Sequence, residues 1–196
     1  MISRIQALTA AVQALPDAAF VVTCGATSRE MAAVADLPNN LYLLDSMGLT
    51  TSVALGVAIG LRERAPHVVA IDGDGSLLMN LGSLATIGAH APSNLTILLL
   101  DNGEHASAKG VPTTSGWLDL CRIAEGCGIA AEEVTTERDV VAKLRATALD
   151  GRTHLIRARI ARGNATGVPW LHADPVVLGE RFRTWLLPSA GEGADR

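Results

Sequence analysis

The strongest constraint on the fold is a regular alternation between short apolar runs and longer segments with helical periodicity. Six runs are nearly continuous in apolar residues and do not alternate between apolar and polar positions. A strand that is apolar on both sides is typical of a parallel sheet covered by helices on both faces. The sequence therefore predicts an α/β fold with a doubly wound, mostly parallel six-stranded sheet. The predicted strands are residues 19–25, 41–45, 67–72, 95–101, 129–134 and 153–160.

Segments with helical spacing fill the intervals between these strands. One helix is predicted after the first strand, at residues 27–38, with Ser28 as its N-cap and Pro38 at its end. The other predicted helices are residues 3–15, 48–64, 79–91, 117–128 and 137–150. We expect residues 1–160 to form one domain and residues 161–196 to form a C-terminal extension, with one short helix at 176–187 and a disordered end.

The composition excludes several classes of protein. A formal net charge of -4 over 196 residues, without a basic run, argues against a nucleic-acid partner. The three cysteines form no C-x-x-C pair, which favours reduced thiols over a disulfide framework or a zinc site. No stretch approaches the continuous apolar length of a membrane-spanning helix, and the N-terminus lacks the pattern of a signal peptide. We therefore expect a cytoplasmic protein with no membrane partner.

Polar joints follow four of the predicted strands. Their sequences are CGATSRE, DSMGLTT, DGDGS and DNGEHASAKG. Ligands of open parallel sheets bind beyond the carboxyl ends of the strands, where these joints lie. The third joint is not a dinucleotide-binding fingerprint, because G-x-G-x-x-G would require glycine at the position of Leu78. The sequence also contains no G-x-x-x-x-G-K-[ST] phosphate-binding loop.

Oxygen-bearing groups stand at the ends of two predicted strands. Asp74 follows one strand, Asn102 follows the next, and the backbone carbonyl of Glu104 comes shortly after. Adjacent strand ends would bring these oxygens together, and Mg²⁺ prefers such a set, with phosphate oxygens completing its shell. The N–H groups of Gly75 and Ser76 open the next helix, where the helix dipole favours a phosphate. The sequence therefore predicts a site for magnesium and a diphosphate.

The pair formed by Gly73-Asp74-Gly75 and Asn102 resembles the G-D-G…N signature of enzymes that use thiamine diphosphate. Nearly the whole chain resembles the diphosphate-binding domain of two-subunit or split 2-oxo acid decarboxylases of the sulfopyruvate and phosphonopyruvate type. The segments that carry this resemblance are TSRE (27–30), SMGL (46–49), GDGSLLMNLGSLATI (73–87), DNG (101–103), GNA (163–165), VP (168–169) and ERF (180–182). The resemblance implies the thiamine-diphosphate-binding fold and both cofactors, thiamine diphosphate and Mg²⁺.

The resemblance also implies roles for individual residues. Asp74, Asn102 and the Glu104 carbonyl correspond to the metal ligands, and Thr27 and Ser28 to hydroxyls that hold the diphosphate. Met47 corresponds to the apolar wedge that bends the cofactor, and the backbone of Asp45 and Met47 to groups that hydrogen-bond its pyrimidine. Gly73, Gly75 and Ser76 complete the implied cofactor-binding set.

A histidine in the polar loop predicted at residues 102–116, after the fourth strand, is the candidate proton-transfer group. His105 is the histidine nearest to the predicted site in sequence, and imidazole serves as general acid or base at neutral pH. The alternative is a loop histidine with a structural or solvent-exposed role. Lys109, in the same loop, is a candidate partner for an anionic head group of the substrate, or a solvated side chain.

The resemblance implies a partner subunit as well. Activation of the cofactor requires a glutamate that the family carries in a separate pyrimidine-binding domain, and one α/β unit accounts for the length of this chain. We therefore expect a hetero-oligomer with a pyrimidine-binding α subunit that decarboxylates 3-sulfopyruvate or 3-phosphonopyruvate, each a small anionic 2-oxo acid. The alternatives are a split carboligase similar to acetolactate synthase and a non-catalytic subunit that binds the cofactor.

Overall fold

A computed structural model of the chain describes residues 1–61 and 65–187. The strands are β1 (Ala19–Val22), β2 (Asn40–Tyr42), β3 (Val68–Gly73), β4 (Leu95–Asp101), β5 (Glu104–His105), β6 (Val111–Pro112), β7 (Ala130–Val134) and β8 (His154–Arg159). The α-helices are α1 (Arg4–Ala14), α2 (Ala26–Ala35), α3 (Thr50–Gly60), α4 (Asp74–Met79), α5 (Ser83–His90), α6 (Leu120–Gly126), α7 (Glu137–Asp150) and α8 (Pro175–Leu186).

Six of the strands form one sheet, in the order β2-β1-β3-β4-β8-β7. All five neighbouring pairs in this sheet are parallel. The remaining two strands, β5 and β6, form a short antiparallel hairpin after β4. The prediction of an α/β fold with a doubly wound, mostly parallel six-stranded sheet is confirmed.

Helices cover both faces of the sheet, and the strands contribute alternate residues to two cores. Phe20 of β1 and Leu98 of β4 face the core that contains α1, α2 and α7. Val21 and Leu99, their neighbours along the chain, face the core that contains α3, α5 and α6. All four side chains are fully buried. Burial of a large apolar side chain contributes about 1.5–3 kcal/mol, which explains why the strands are apolar on both sides.

The order of the strands creates a switch point between β1 and β3. The chain passes from β1 outward to β2 and then returns to the other side of β1 to form β3. The loops that follow β1 and β3 therefore diverge at the carboxyl edge and leave a crevice between them. Open α/β sheets bind ligands at this position.

Three predictions about local structure need correction. The helix predicted at 27–38 with Ser28 as N-cap begins earlier, because Gly25 (φ 76°) serves as N-cap and Ser28 lies within the first turn. The helix predicted at 79–91 is replaced by α4 and α5, because the chain turns where the Asn80 side chain donates to the Gly48 carbonyl. The loop predicted at 102–116 contains the β5–β6 hairpin and two 3-10 turns, Ala106–Ala108 and Thr114–Gly116.

The segment after β8 packs on the rest of the described chain mainly through its helix. Its helix α8 lies where a short helix is predicted, and it contacts β2 at one edge of the sheet. Leu178 and Phe182 of this helix are buried in the two cores. The predicted disordered end and the last residues of the helix predicted at 48–64 lie outside the described residues.

Across the two ranges that the structure describes, no helix has the length and apolar character needed to cross a membrane.

Candidate functional site

A cleft opens at the carboxyl edge of the sheet, at the switch point. It contains about 530 Å³ of empty space, counting its open mouth. Its walls come from the loops after β1, β2, β3 and β4, and from the start of α1. Most of the residues predicted from the sequence line this cleft, namely Thr27, Met47, Gly73, Asp74, Gly75, Ser76, Asn102, Glu104 and His105.

Two helices begin at the cleft without a capping side chain. The N-cap of α2 is Gly25 and that of α4 is Gly73, and neither supplies a side-chain hydrogen bond to the first turn. The first N–H groups of an α-helix have no partner within the helix, so a bound anion satisfies them where no side chain does. The two glycine N-caps therefore leave backbone donors available for phosphate oxygens in the cleft.

Asp74 presents a carboxylate to the cleft from the first position of α4. The side chain is buried, and its Oδ2 accepts a hydrogen bond from the Thr113 hydroxyl at 2.5 Å. Burial raises the pKa of Asp74, the Thr113 hydrogen bond opposes this rise, and the Asp101 carboxylate adds to it. A cation bound at Asp74 would offset the cost of keeping this carboxylate ionised away from water.

Asn102 and Glu104 reach the cleft from a tight turn after β4. The Asn102 Oδ1 accepts from the Glu104 N–H at 3.1 Å, and Gly103 between them has φ 72°. Across the hairpin Glu104 faces Pro112, which has no N–H to donate, so the Glu104 carbonyl receives no hydrogen bond from that residue.

The buried carboxylate of Asp101 holds this turn in place. It accepts hydrogen bonds from the Gly103 N–H (3.0 Å), the Ser115 hydroxyl (2.9 Å) and the Arg157 Nε (2.7 Å). The Arg159 Nη1 donates to the same carboxylate at 2.8 Å. The turn that carries Asn102 is therefore anchored to two arginines of β8.

These donors fit a magnesium ion better than a softer metal. One carboxylate, one side-chain amide and one backbone carbonyl are hard oxygen ligands, and Mg²⁺ completes its shell with water and phosphate. In the part of the chain that the structure describes, no three His, Cys, Asp or Glu side chains are grouped to hold a metal ion. A site with a single protein carboxylate therefore relies on the negative charge of a diphosphate.

The Ser76 hydroxyl connects the loops that form the cleft. Its Oγ accepts from the Gly48 N–H at 3.0 Å and from the Thr23 hydroxyl at 3.2 Å. The loops after β1, β2 and β3 are thereby fixed relative to one another. Met47 precedes Gly48 and lies half-buried on the cleft wall.

His105 packs against Gly75. A Cβ atom on Gly75 would lie 2.4 Å from Nδ1 and 2.5 Å from Cε1 of His105, so a side chain at this position would displace the ring. The half-buried imidazole lies on the cleft beside the first turn of α4. Only glycine allows the histidine to approach this helix so closely.

Two residues that were predicted to bind the cofactor are not on the cleft wall. The Ser28 hydroxyl is buried and donates to the Thr23 carbonyl at 2.6 Å. Asp45 is exposed on the loop after β2 and does not line the cleft. Thr27 is thus the hydroxyl that α2 presents to the cleft.

The sequence analysis missed Asp72, a fully buried carboxyl at the end of β3. Its Oδ1 accepts from the Gly73 N–H at 2.9 Å, and the hydroxyls of Ser76, Thr23 and Thr50 lie around it. Burial raises its pKa to about 6, and these hydrogen bonds limit the rise. An acidic residue directly before the G-D-G motif in an otherwise apolar strand was the signal available in the sequence.

We expect Asp72→Asn to stabilise the free chain at neutral pH. The pKa of Asp72 rises from 3.8, the ordinary carboxyl value, to about 6 in the folded chain. Between pH 3.8 and pH 6, the folded state therefore holds a proton that the unfolded state has released. The stability contributed by this group therefore falls as the pH rises towards 6 and stays low above it. The gain at pH 7 should be on the order of 2 kcal/mol by urea unfolding. An equal gain at pH 4.5 and pH 7.5 would contradict the assignment.

Comparison with known proteins identifies a family. Residues 23–158 match the C-terminal TPP binding domain of thiamine pyrophosphate enzymes. A phosphonopyruvate decarboxylase from Streptomyces viridochromogenes is 44% identical over 193 residues, which are 96% of this chain and 48% of that protein. A sulfopyruvate decarboxylase subunit beta from Methanothermobacter thermautotrophicus is 37% identical over 182 residues, which are 93% of this chain and 94% of that subunit.

The chain thus spans about half the length of the phosphonopyruvate decarboxylases that it matches and nearly all of the beta subunit. Among solved structures, the thiamine diphosphate-dependent 4-hydroxybenzoylformate decarboxylase of Rhodococcus jostii RHA1 superimposes with a TM-score of 0.71. The two chains share 20% identity, and the match covers 83% of this chain and 33% of the other. This likeness supports the fold.

Proposed function

Because the chain belongs to the thiamine pyrophosphate enzymes, as a C-terminal TPP binding domain, we propose that it is the diphosphate-binding subunit of a two-subunit decarboxylase. Its proposed substrates are 3-sulfopyruvate and 3-phosphonopyruvate, each of which would lose CO₂ and give the corresponding acetaldehyde. One observation carries this proposal. Asp74, Asn102 and Glu104 line the same cleft as the N-termini of two helices that have no capping side chain.

The proposed roles of the residues follow from their positions. Asp74, Asn102 and the Glu104 carbonyl would hold Mg²⁺, and the first N–H groups of α2 and α4 would bind phosphate oxygens together with Thr27. Met47 would support the cofactor from the wall formed by the loop after β2. When bound, thiamine diphosphate supplies the electron sink for decarboxylation.

His105 is the proposed proton-transfer residue of this chain. Its half-buried ring is fixed against Gly75 at the cleft, close to the proposed metal ligands. In this position the imidazole could hold a proton near the substrate and deliver it after CO₂ has left. The close packing on Gly75 restricts the orientation of the ring, and a proton-transfer group requires a fixed orientation.

The activating glutamate is proposed to come from a partner subunit. Glu104 is the one glutamate among the residues of the described chain that line the cleft, and its carboxylate accepts from the Gly163 N–H at 2.8 Å. It is therefore engaged within the chain. Two relatives named sulfopyruvate decarboxylase subunit beta are almost fully spanned by this chain, which is consistent with a second subunit.

An apolar face of α3 is the proposed docking surface for that subunit. The helix contains no charged residue, yet Ser52, Gly56, Ile59 and Gly60 are exposed. A helix that is apolar on all sides is normally buried on all sides. The face continues through the exposed Leu49 to the cleft wall at Met47, so a subunit docked on it would also reach the cofactor site.

The proposed activity can be tested with the full chain alone and in combination with a pyrimidine-binding subunit. We expect Mg²⁺-dependent binding of thiamine diphosphate by calorimetry, and CO₂ release from 3-sulfopyruvate or 3-phosphonopyruvate by the combination only. Turnover by the chain alone at about 1 s⁻¹ or faster would refute the need for a partner. Carbon–carbon bond formation from pyruvate without decarboxylation of either proposed acid would identify a carboligase.

A further inference from the structure

Two sequence motifs have no role in the site as described so far, and they meet in the structure. Glu30 is the last residue of the TSRE segment, and the 163–165 turn is the GNA segment after β8. The Ala165 N–H donates to the Glu30 Oε1 at 3.1 Å, across 135 residues of sequence. Glu30 is buried, with an exposed fraction of 1%.

Arg4 joins both motifs from the start of α1. Its Nη1 donates to the Glu30 Oε1 at 2.8 Å and to the Asn164 Oδ1 at 3.1 Å, and its Nη2 approaches the Gly163 carbonyl at 3.5 Å. The exposed fraction of Arg4 is 7%, so the ion pair is shielded from water on both sides. Arg4 also lines the cleft.

The same turn is attached to the proposed metal site at its other end. The Gly163 N–H donates to the Glu104 Oε1 at 2.8 Å. Gly163 has φ 89°, which favours glycine and lets the turn direct its two N–H groups at two different carboxylates. Glu104 thereby connects the turn to the loop that carries Asn102.

We propose that Arg4, Glu30 and the 163–165 turn form a brace that fixes the N-terminal half of α2, in which Glu30 is the fifth residue, relative to the 102–104 turn. The inference rests on the proposed function, in which the first turn of α2 binds the phosphate and the 102–104 turn binds the metal. Glu30 and the Glu104 side chain are then positioning residues at opposite ends of the brace. A buried ion pair contributes little net stability but fixes geometry, because separating its partners leaves an uncompensated charge.

If the brace exists, a substitution at one of its ends alters the structure at the other end. Glu104→Ala removes the link to Gly163 and keeps the backbone carbonyl, and Glu30→Gln removes the charge that holds Arg4. Each variant should lower the affinity for thiamine diphosphate with Mg²⁺ by about 10-fold, as is usual for groups that orient metal ligands. The double variant should lose little more than either single one, because both changes release the same brace.

Amide hydrogen exchange of the full chain without cofactor supplies a second readout. Glu104→Ala should raise exchange in residues 163–165 and also in residues 30–33 of α2, whose N–H groups are hydrogen-bonded within the helix and which Glu104 does not touch. Glu180→Gln, which alters an exposed ion pair on α8, is the matched control and should change neither exchange nor affinity. A side chain with only a local structural role would alter exchange at its own end alone.

The outcomes separate the brace from the proposed function. If the wild-type chain binds the cofactor and both variants bind it equally well, or if the two losses multiply to about 100-fold, the brace is refuted. If the wild-type chain shows no metal-dependent binding, the cofactor assignment fails, and the exchange pattern alone decides whether the brace exists.

Discussion

Asp74→Asn should reduce Mg²⁺-dependent binding of thiamine diphosphate by about 1000-fold, or about 4 kcal/mol. The substitution preserves the shape of the side chain and one oxygen, but it removes the one carboxylate of the proposed ligand set. The Asp74 side chain is 2% exposed, so its charge acts on a cation with little screening by solvent. Titration calorimetry of the full chain with the cofactor, with and without Mg²⁺, measures the effect.

Asp17→Asn is the matched control for the loss of one carboxylate. Asp17 is exposed between α1 and β1, at the opposite edge of the sheet from the cleft. This variant should bind the cofactor as the wild-type chain does. The magnesium assignment would be wrong if Asp74→Asn kept the wild-type affinity or lost binding equally in the absence of metal.

Burial of Asp74 also predicts how its change affects the free chain. Burial raises the pKa of this carboxyl, so the charged form is disfavoured when no cation is present. The amide variant should therefore fold at least as well as the wild-type chain, since Asn retains a partner for the Thr113 hydroxyl. Such a site is less stable without its ligand than with it, which is common for binding sites.

The parts of the fold that could be predicted are those set by local pattern. β3 and β4 are continuous apolar runs, and the polar residues that follow them had to lie at the carboxyl edge of a parallel sheet. This reasoning was enough to bring Asp74 and Asn102 to one cleft. This reasoning needed only the spacing of apolar residues in each helix and strand, and the parallel direction of the strands.

The parts that could not be predicted depend on contacts between distant segments. Thr113 bonds Asp74 across 39 residues of sequence, and Arg4 bonds Glu30 across 26. Asp72 is enclosed by hydroxyls from different parts of the chain, so its burial and raised pKa could not be predicted from the local sequence. The Ser28 cap was wrong because Gly25 could adopt a left-handed backbone and start the helix one turn earlier.

Gly56→Arg should abolish assembly with the partner subunit while stabilising the isolated chain. Gly56 lies in α3 on the exposed apolar face, and a Cβ atom there would meet no atom within 4 Å. Glycine within a helix costs about 0.5–1 kcal/mol relative to alanine, and no contact in the described chain offsets this cost. Close approach of a partner helix is the explanation that we propose.

The two expected effects of Gly56→Arg have opposite signs, which separates docking from folding. Urea unfolding of the isolated chain should show a gain of about 0.5–1 kcal/mol, because arginine is a good helix former. Sedimentation with the partner subunit should show no complex, and decarboxylation by the mixture should fall by about 1000-fold or more, since a buried unpaired charge is costly at an interface. Gly126→Arg places the same side chain at an exposed glycine of α6 and should leave assembly intact. Normal assembly by Gly56→Arg would show that this face of α3 does not contact the partner.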